Sequence, residues 1–124
     1  MLPIANETIV YDGSSVLVLA TSNGVYTIDT STIIHIRSIS NYSKLFFSNG
    51  KTLVVAKVLA WFEDKLPQQS FVRIHRSHII SLRHVRAWSG NRNNQIILCN
   101  DTTVDVSRRK KEMVLKVFRN LYAA

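Results

Sequence analysis

Residues 44–55 read Lys44-Leu-Phe-Phe-Ser-Asn-Gly-Lys-Thr-Leu-Val-Val55, in which an Asn-Gly pair separates two apolar runs. This pattern is the strongest short-range signal for a β-hairpin, because both central residues of a type I′ turn need a positive φ. It occurs a second time, where Ser22-Asn23-Gly24 separates residues 15–21 from residues 25–28. The two segments predict antiparallel hairpins with type I′ turns.

The residues around these hairpins add further strands. Residues 33–39 alternate, which predicts a half-buried strand with Ile34 and Ile36 on one face and His35 and Arg37 on the other. More short strands are predicted at residues 71–74, 79–80, 85–88, 95–98 and 103–106.

Two stretches have the period of an α-helix instead. Leu59, Phe62 and Leu66 recur at helical spacing, and Pro67 follows as a stop. Near the C-terminus an apolar stripe predicts a closing helix from about residue 108, formed by Val114, Val117, Phe118 and Leu121. The fold class predicted from these patterns is mainly β, with two short helices.

Length and composition exclude several classes of protein. At 124 residues and 46% hydrophobic, the chain has the size and composition of one globular domain. It has no apolar run of the roughly 18 residues that span a bilayer, and its start lacks the order of a signal peptide, so we expect a cytoplasmic protein without a membrane partner. A single cysteine, Cys99, excludes an internal disulfide.

The charge is concentrated in one half of the chain. The net charge is +8; residues 1–62 hold four basic and three acidic side chains, whereas residues 63–124 hold twelve and five. Such asymmetry favours a polyanionic partner, nucleic acid first.

Four cations follow Ser107 in the sequence Ser107-Arg-Arg-Lys-Lys111, at the start of the predicted last helix. The helix dipole already makes that end positive, so each exposed cation there costs about 0.3 to 1 kcal/mol. A phosphate group would turn this repulsion into attraction, while the Ser107 hydroxyl caps the helix. We therefore interpret the cluster as a nucleic-acid contact.

A second group of donors lies in Phe71-Val-Arg-Ile-His-Arg-Ser-His-Ile-Ile80. Arginine can bind phosphate or the guanine edge with two hydrogen bonds. His75 and His78 are three residues apart and would not share a face in an extended strand, so no metal site is predicted. With Cys99 expected to be buried, no paired carboxylates and no glycine-rich phosphate loop, we predict neither an enzyme nor a cofactor.

Taken in order, these segments resemble the LytTR DNA-binding domain of bacterial transcription regulators. The resemblance rests on the Ser40-Asn-Tyr-Ser43 loop, the Asn-Gly hairpin, Lys65-Leu-Pro67, Phe71-Val-Arg-Ile-His-Arg-Ser77 and Val104-Asp-Val-Ser-Arg-Arg109. It implies an elongated fold of small antiparallel sheets that binds double-stranded DNA at direct repeats in promoters. The LytTR-like domain would span residues 28–124, with residues 1–27 as an N-terminal hairpin region of the same domain.

The resemblance also implies roles for individual residues. Tyr42, Ser43 and Arg109 would contact base edges in the major groove, and Arg76 would lie nearest the minor groove. The DNA backbone would be contacted by Lys44, Arg73, His75, Ser77, Arg108, Lys110 and Lys111. His78, Ser81 and Asn100-Asp101 depart from the usual family residues, so the loop geometry and the base preference stay open.

The sequence leaves the regulation and the rival functions open. About 27 residues precede the matching region, too few for a receiver domain, so regulation would come from a homodimer on repeated sites, a partner protein in trans or the control of abundance. An RNA-binding module or a module that binds an acidic protein remains the alternative. RNA recognition usually needs exposed aromatic side chains on a sheet, for which Tyr26, Phe46 and Phe47 are the candidates.

Overall fold

The computed structural model describes residues 5–11, 16–21, 24–89 and 94–122, which form three antiparallel sheets and two α-helices. The first sheet has the order β1-β2-β3 and contains β1 (Ala5–Tyr11), β2 (Val16–Thr21) and β3 (Gly24–Asp29). The central sheet has the order β6-β5-β4-β8-β7 and contains β4 (Ile33–Ile39), β5 (Tyr42–Phe47), β6 (Thr52–Val55), β7 (Phe71–His75) and β8 (His78–Ser81). The third sheet has the order β11-β10-β9 and contains β9 (Val85–Ser89), β10 (Gln95–Leu98) and β11 (Thr103–Asp105).

The helices are α1 (Leu59–Lys65) and α2 (Lys111–Tyr122), and a 3₁₀ turn over Arg108–Lys110 leads into α2. The prediction of a mainly β domain with two short helices is therefore confirmed. Neither helix is long and apolar enough to cross a membrane in the part of the chain that the structure describes.

The central sheet carries a hydrophobic cluster on each face. Ile79 and Ile80 are neighbours in β8 and pack into different clusters, as the alternation of side chains along a strand requires. The first cluster joins the central sheet to the first sheet and α1, through residues such as Leu17, Ile36 and Phe62. The second cluster joins it to the third sheet and α2. Leu17 and Leu19 of β2 thus share a core with the central sheet and α1.

Strand β4 is more deeply buried than its alternating sequence predicts. It lies in the middle of the central sheet, and Ile33, Ile34, His35 and Ile36 are all buried. The register shifts between Ile33 and His35, and as a result Ile34 packs into the second cluster whereas Ile36 packs into the first. The prediction of a half-buried strand with both residues on one face was wrong, because alternation cannot reveal a bulge.

The Asn49-Gly50 hairpin is confirmed, but its turn is not type I′. Gly50 has a φ of +86°, whereas Asn49 is not among the residues with positive φ. The Gly50 amide donates to the Phe47 carbonyl at 3.0 Å. The loop is therefore a turn closed by a glycine bulge, the commonest three-residue hairpin connection. The earlier hairpin is confirmed by the pairing of β2 with β3, while Ser22 and Asn23 lie outside the described residues.

Two further side chains differ from expectation. Val114 and Phe118 of α2 are buried as predicted, but Leu121 is 48% exposed and does not belong to the second cluster. Cys99 was expected to be buried, but it comes after the last residue of β10 and is exposed.

Candidate nucleic-acid interface

Two turns that are distant in sequence lie side by side at one end of the central sheet. The β4–β5 turn follows Ile39 and returns at Tyr42, which pairs with it. The β7–β8 turn consists of Arg76 and Ser77. The Ser38 amide donates to the Ser77 carbonyl at 3.0 Å, and this bond ties the two turns together. Tyr42, which is 43% exposed, and Arg76 therefore project from the same end of the sheet.

The start of α2 is fixed to the same region. The Ser107 amide donates to the Ile74 carbonyl of β7 at 2.8 Å. The Ser107 hydroxyl accepts a hydrogen bond from the Lys110 amide at 3.3 Å, which confirms the predicted N-cap. The start of α2, which is the positive end of its dipole, thus lies beside the β7–β8 turn.

A cleft of about 530 Å³ lies between the β7–β8 turn and the start of α2. We call it the cationic cleft; its lining consists of Arg73, His75, Arg76, Ser107, Arg108, Arg109 and Lys110. No acidic side chain is among the described residues that line it. Arg76, Arg108 and Arg109 are exposed. Several cations at the positive end of a helix form an environment that favours a bound anion, and phosphate is the anion that such sites commonly hold.

Arg73 lines the cationic cleft but its guanidinium group is held by the protein. It donates to the Arg76 carbonyl at 2.7 Å and to a Glu63 carboxylate oxygen at 3.2 Å. The side chain is only 22% exposed, and its Nε atom is buried without a hydrogen-bond partner. Arg73 therefore braces the β7–β8 turn against α1, and few of its N–H groups are available to bind a phosphate.

Lys110 is held in a similar way. Its ammonium group donates to the Arg73 carbonyl at 3.0 Å. Burial is the main cause that lowers the pKa of Lys110 below its ordinary value. Two of the predicted backbone contacts, Arg73 and Lys110, thus already donate to groups of the protein. The free cations of the cleft are Arg76, Arg108 and Arg109 among the described residues that line it.

Ser43 is inaccessible to a partner. It is fully buried, and its hydroxyl donates to the Lys57 carbonyl at 2.6 Å. The prediction that Ser43 contacts a base does not fit this geometry, because an alternating strand that begins at Tyr42 turns the next side chain inward. Tyr42 keeps the exposure that a base contact needs.

His75 and His78 face each other across the β7–β8 hairpin, with ring centroids 5.2 Å apart. The expectation that they would not share a face was wrong, because a tight turn pairs residues that flank it. His78 also shares a hydrogen bond with the buried His35, at 3.0 Å between Nδ1 and Nε2. No group of three or more His, Cys, Asp or Glu side chains suited to a metal ion occurs within the described ranges.

Burial keeps both inner histidines neutral. It lowers the pKa of His35 to about 3 and the pKa of His78 to about 4, and neighbouring positive charges add to both shifts. His78 is also paired with Arg37 across β4 and β8. Sequence patterns predict no functional role for Arg37, because nothing in the order of residues shows that β8 lies beside β4.

Comparison with known proteins identifies the family of the chain. The family model described as the LytTr DNA-binding domain matches residues 23–119. The chain belongs to the LytTR family of DNA-binding domains. LytTR domains are DNA-binding modules of transcription regulators, and the LytTR family is not a family of enzymes.

Individual relatives of this LytTR domain support the assignment. The CO-responsive transcriptional regulator RcoM of Rhodospirillum rubrum is 34% identical over 61 residues, which cover 49% of this chain and 25% of that protein. The sensory transduction protein LytT of Bacillus anthracis is 35% identical over 72 residues, covering 56% and 29%. The chain thus spans less than a third of the length of these relatives. A solved LytTr DNA-binding domain from Bacillus cereus has a TM-score of 0.72 at 25% identity, covering 86% of this chain and 98% of that one.

Proposed function

We propose that this LytTR domain binds double-stranded DNA in a sequence-specific way, at direct repeats in bacterial promoters. The observation that carries the proposal is that the β4–β5 turn, the β7–β8 turn and the cationic cleft adjoin one another at one end of the central sheet. Three chain segments converge there on a surface that favours anions. A surface of this kind suits the phosphate backbone, which supplies most of the affinity, while exposed side chains at its edge read the bases.

The contacts divide into two classes. Tyr42, Arg76 and Arg109 are exposed and have the reach to touch base edges, and arginine is the residue that most often reads guanine in the major groove. The backbone would be bound by the accessible residues among the contacts predicted from the sequence, which are Lys44, His75, Ser77, Arg108 and Lys111. We leave Ser43 out of the base contacts, and Arg73 and Lys110 out of the backbone contacts, because these side chains already bond to other groups of the protein.

The rival functions gain no specific support. An RNA-binding sheet needs exposed aromatic rings on which bases stack. Phe46 stacks on His35 with ring centroids 5.1 Å apart, and Phe47 packs against the first cluster. Of the three candidates only Tyr26 is exposed, at 40%, and it lies on β3 in a different sheet from the proposed interface.

Selection of bound duplexes from a random pool tests the proposal. We expect enrichment of one motif in two copies with the same orientation, as direct repeats require, together with a footprint on both copies. Binding to the selected duplex should show a log-log salt slope of roughly −5 to −7, the value for about six to eight phosphate contacts. No enrichment and a flat salt dependence would contradict the proposal and favour an acidic protein partner. Sedimentation of the free and bound domain would show whether a homodimer forms only on DNA.

A further inference from the structure

A row of four basic side chains crosses the central sheet next to the proposed interface. Lys44 on β5 pairs with Arg37 on β4, Arg37 pairs with His78 on β8, and His78 pairs with His75 on β7. Directly paired residues on neighbouring strands point to the same face of a sheet. We call these four residues the basic row.

Within the basic row, Lys44 and Arg37 are a costly pair for an isolated sheet, because like charges directly opposite each other on neighbouring strands repel. Phe46 relieves part of the repulsion, since Arg37 Cζ lies 5.5 Å and Lys44 Nζ 5.3 Å from the centroid of its ring. No ion pair among the described residues involves a member of the row. The cations are therefore held over an aromatic ring without a negative partner.

The groups that face the row from other strands do not neutralise it. Asp105 raises the pKa of His78, but this effect is smaller than the opposing effects of burial, His75 and Arg37. Its carboxylate also accepts a hydrogen bond from Gln95 at 2.8 Å. Within the row, Arg37 is exposed, whereas the other three members are half-buried. Arg37 is the member with the most freedom to meet an external anion.

The row and the cationic cleft are continuous, because His75 belongs to both. Neighbouring strands lie about 4.8 Å apart, so the row spans about 14 Å. A single stretch of DNA backbone could therefore pass from the cleft along the row.

We propose that Arg37 binds a phosphate of the DNA backbone and that the basic row extends the cationic cleft across the central sheet. The proposal rests on the proposed function, which it deepens by adding a contact that the sequence did not suggest. The guanidinium group of Arg37 suits this role, because it can donate two parallel hydrogen bonds to one phosphate.

The test compares Arg37→Gln with Arg119→Gln on a mixed-sequence duplex more than two helical turns long. Arg119 is exposed on α2, outside the cleft and the row, and its replacement changes the net charge equally. Fluorescence anisotropy between about 50 and 200 mM salt gives the slope for each variant. We expect Arg37→Gln to reduce the slope by about 0.9 and to weaken binding roughly eightfold at about 0.1 M salt, with Arg119→Gln close to the parent domain.

Urea unfolding and a second variant separate binding from folding. Arg37→Lys keeps the charge and should keep the salt slope, even if it loses part of the affinity. Equal slopes for Arg37→Gln and Arg119→Gln, in a parent domain that binds the duplex, would overturn the Arg37 contact and leave the proposed function intact. A parent domain that binds no duplex at all would overturn the proposed function and the contact together.

Discussion

Replacing Arg73 with glutamine should destabilise the domain without changing the number of phosphates it binds. Arg73 holds the β7–β8 turn by donating to the Arg76 carbonyl and to Glu63. Arg73 lines the cationic cleft, but its contacts hold the β7–β8 turn in place. Charge alone therefore gives the wrong expectation for this residue, and its variant separates the two roles.

The magnitude follows from the bonds that are lost. A hydrogen bond from a charged group is worth about 1.5 to 3 kcal/mol, but the Arg76 carbonyl lies in an exposed turn where water can replace the donor. The ion pair with Glu63 is partly exposed and adds about 0 to 1 kcal/mol. We expect the free energy of unfolding to fall by about 1 to 2 kcal/mol. DNA affinity should fall as well, by the fraction of molecules whose turn is misplaced.

Two assays on two variants decide the matter. Urea unfolding and salt-dependent DNA binding are measured for Arg73→Gln and for Arg108→Gln, an exposed arginine of the same cleft. Both variants lose one positive charge. Arg108→Gln should reduce the salt slope by about 0.9 with a stability change within about 0.5 kcal/mol, while Arg73→Gln should keep the slope and lose stability. If Arg73→Gln instead reduced the slope and left stability unchanged, the brace assignment would be refuted and Arg73 would be a phosphate contact.

The remaining predictions concern base reading, a buried hydroxyl and acid stability. Arg109→Ala should cost about 1 to 3 kcal/mol of binding on the selected duplex and less on a scrambled one; an equal loss on both would make Arg109 a backbone contact. Ser43→Ala should lower the free energy of unfolding by about 1 to 2 kcal/mol, because the Lys57 carbonyl loses its donor, with no change in sequence preference; a changed preference in a stable variant would restore Ser43 as a base contact. Burial lowers the pKa of His35 to about 3 and of His78 to about 4, whereas an unfolded histidine has a pKa near 6.5. The unfolded state then takes up protons first as the pH falls below about 6.5, so urea unfolding should show lower stability at about pH 5 than at about pH 7.5. A constant free energy of unfolding over that range would contradict the burial of neutral histidines, and His78→Asn should weaken the pH dependence.

Local patterns were sufficient for most of the secondary structure. The Asn-Gly pair located its hairpin, and the spacing of Leu59, Phe62 and Leu66 located α1, because turn chemistry and apolar period act over a few residues. The features missed depend on distant neighbours. The bulge in β4 and the exposure of Leu121 follow from which elements pack together, and a single sequence does not show this.

For the candidate site, too, local features could be predicted from the sequence and long-range contacts could not. The sequence indicated which segments are rich in cations, and the structure brings those segments together. The sequence could not show which donors already bond to the protein itself. One example is Lys110, whose ammonium group donates to a carbonyl of β7. Nor could the sequence suggest Arg37 as a phosphate contact, because that proposal depends on the pairing of β4 with β8.

The pairing of β4 with β8 joins two strands that are far apart in the sequence. His35 and His78, which share a hydrogen bond, are 43 positions apart, so the chain must close a long loop before the two strands meet. Contacts between such remote positions slow folding more than local hairpins do. The two turns of the proposed interface lie side by side only when these strands are paired, because the bond from the Ser38 amide to the Ser77 carbonyl joins them. A nascent chain with all its hairpins formed would still lack the assembled DNA-binding surface until β4 pairs with β8. DNA affinity is therefore a stringent reporter of complete folding.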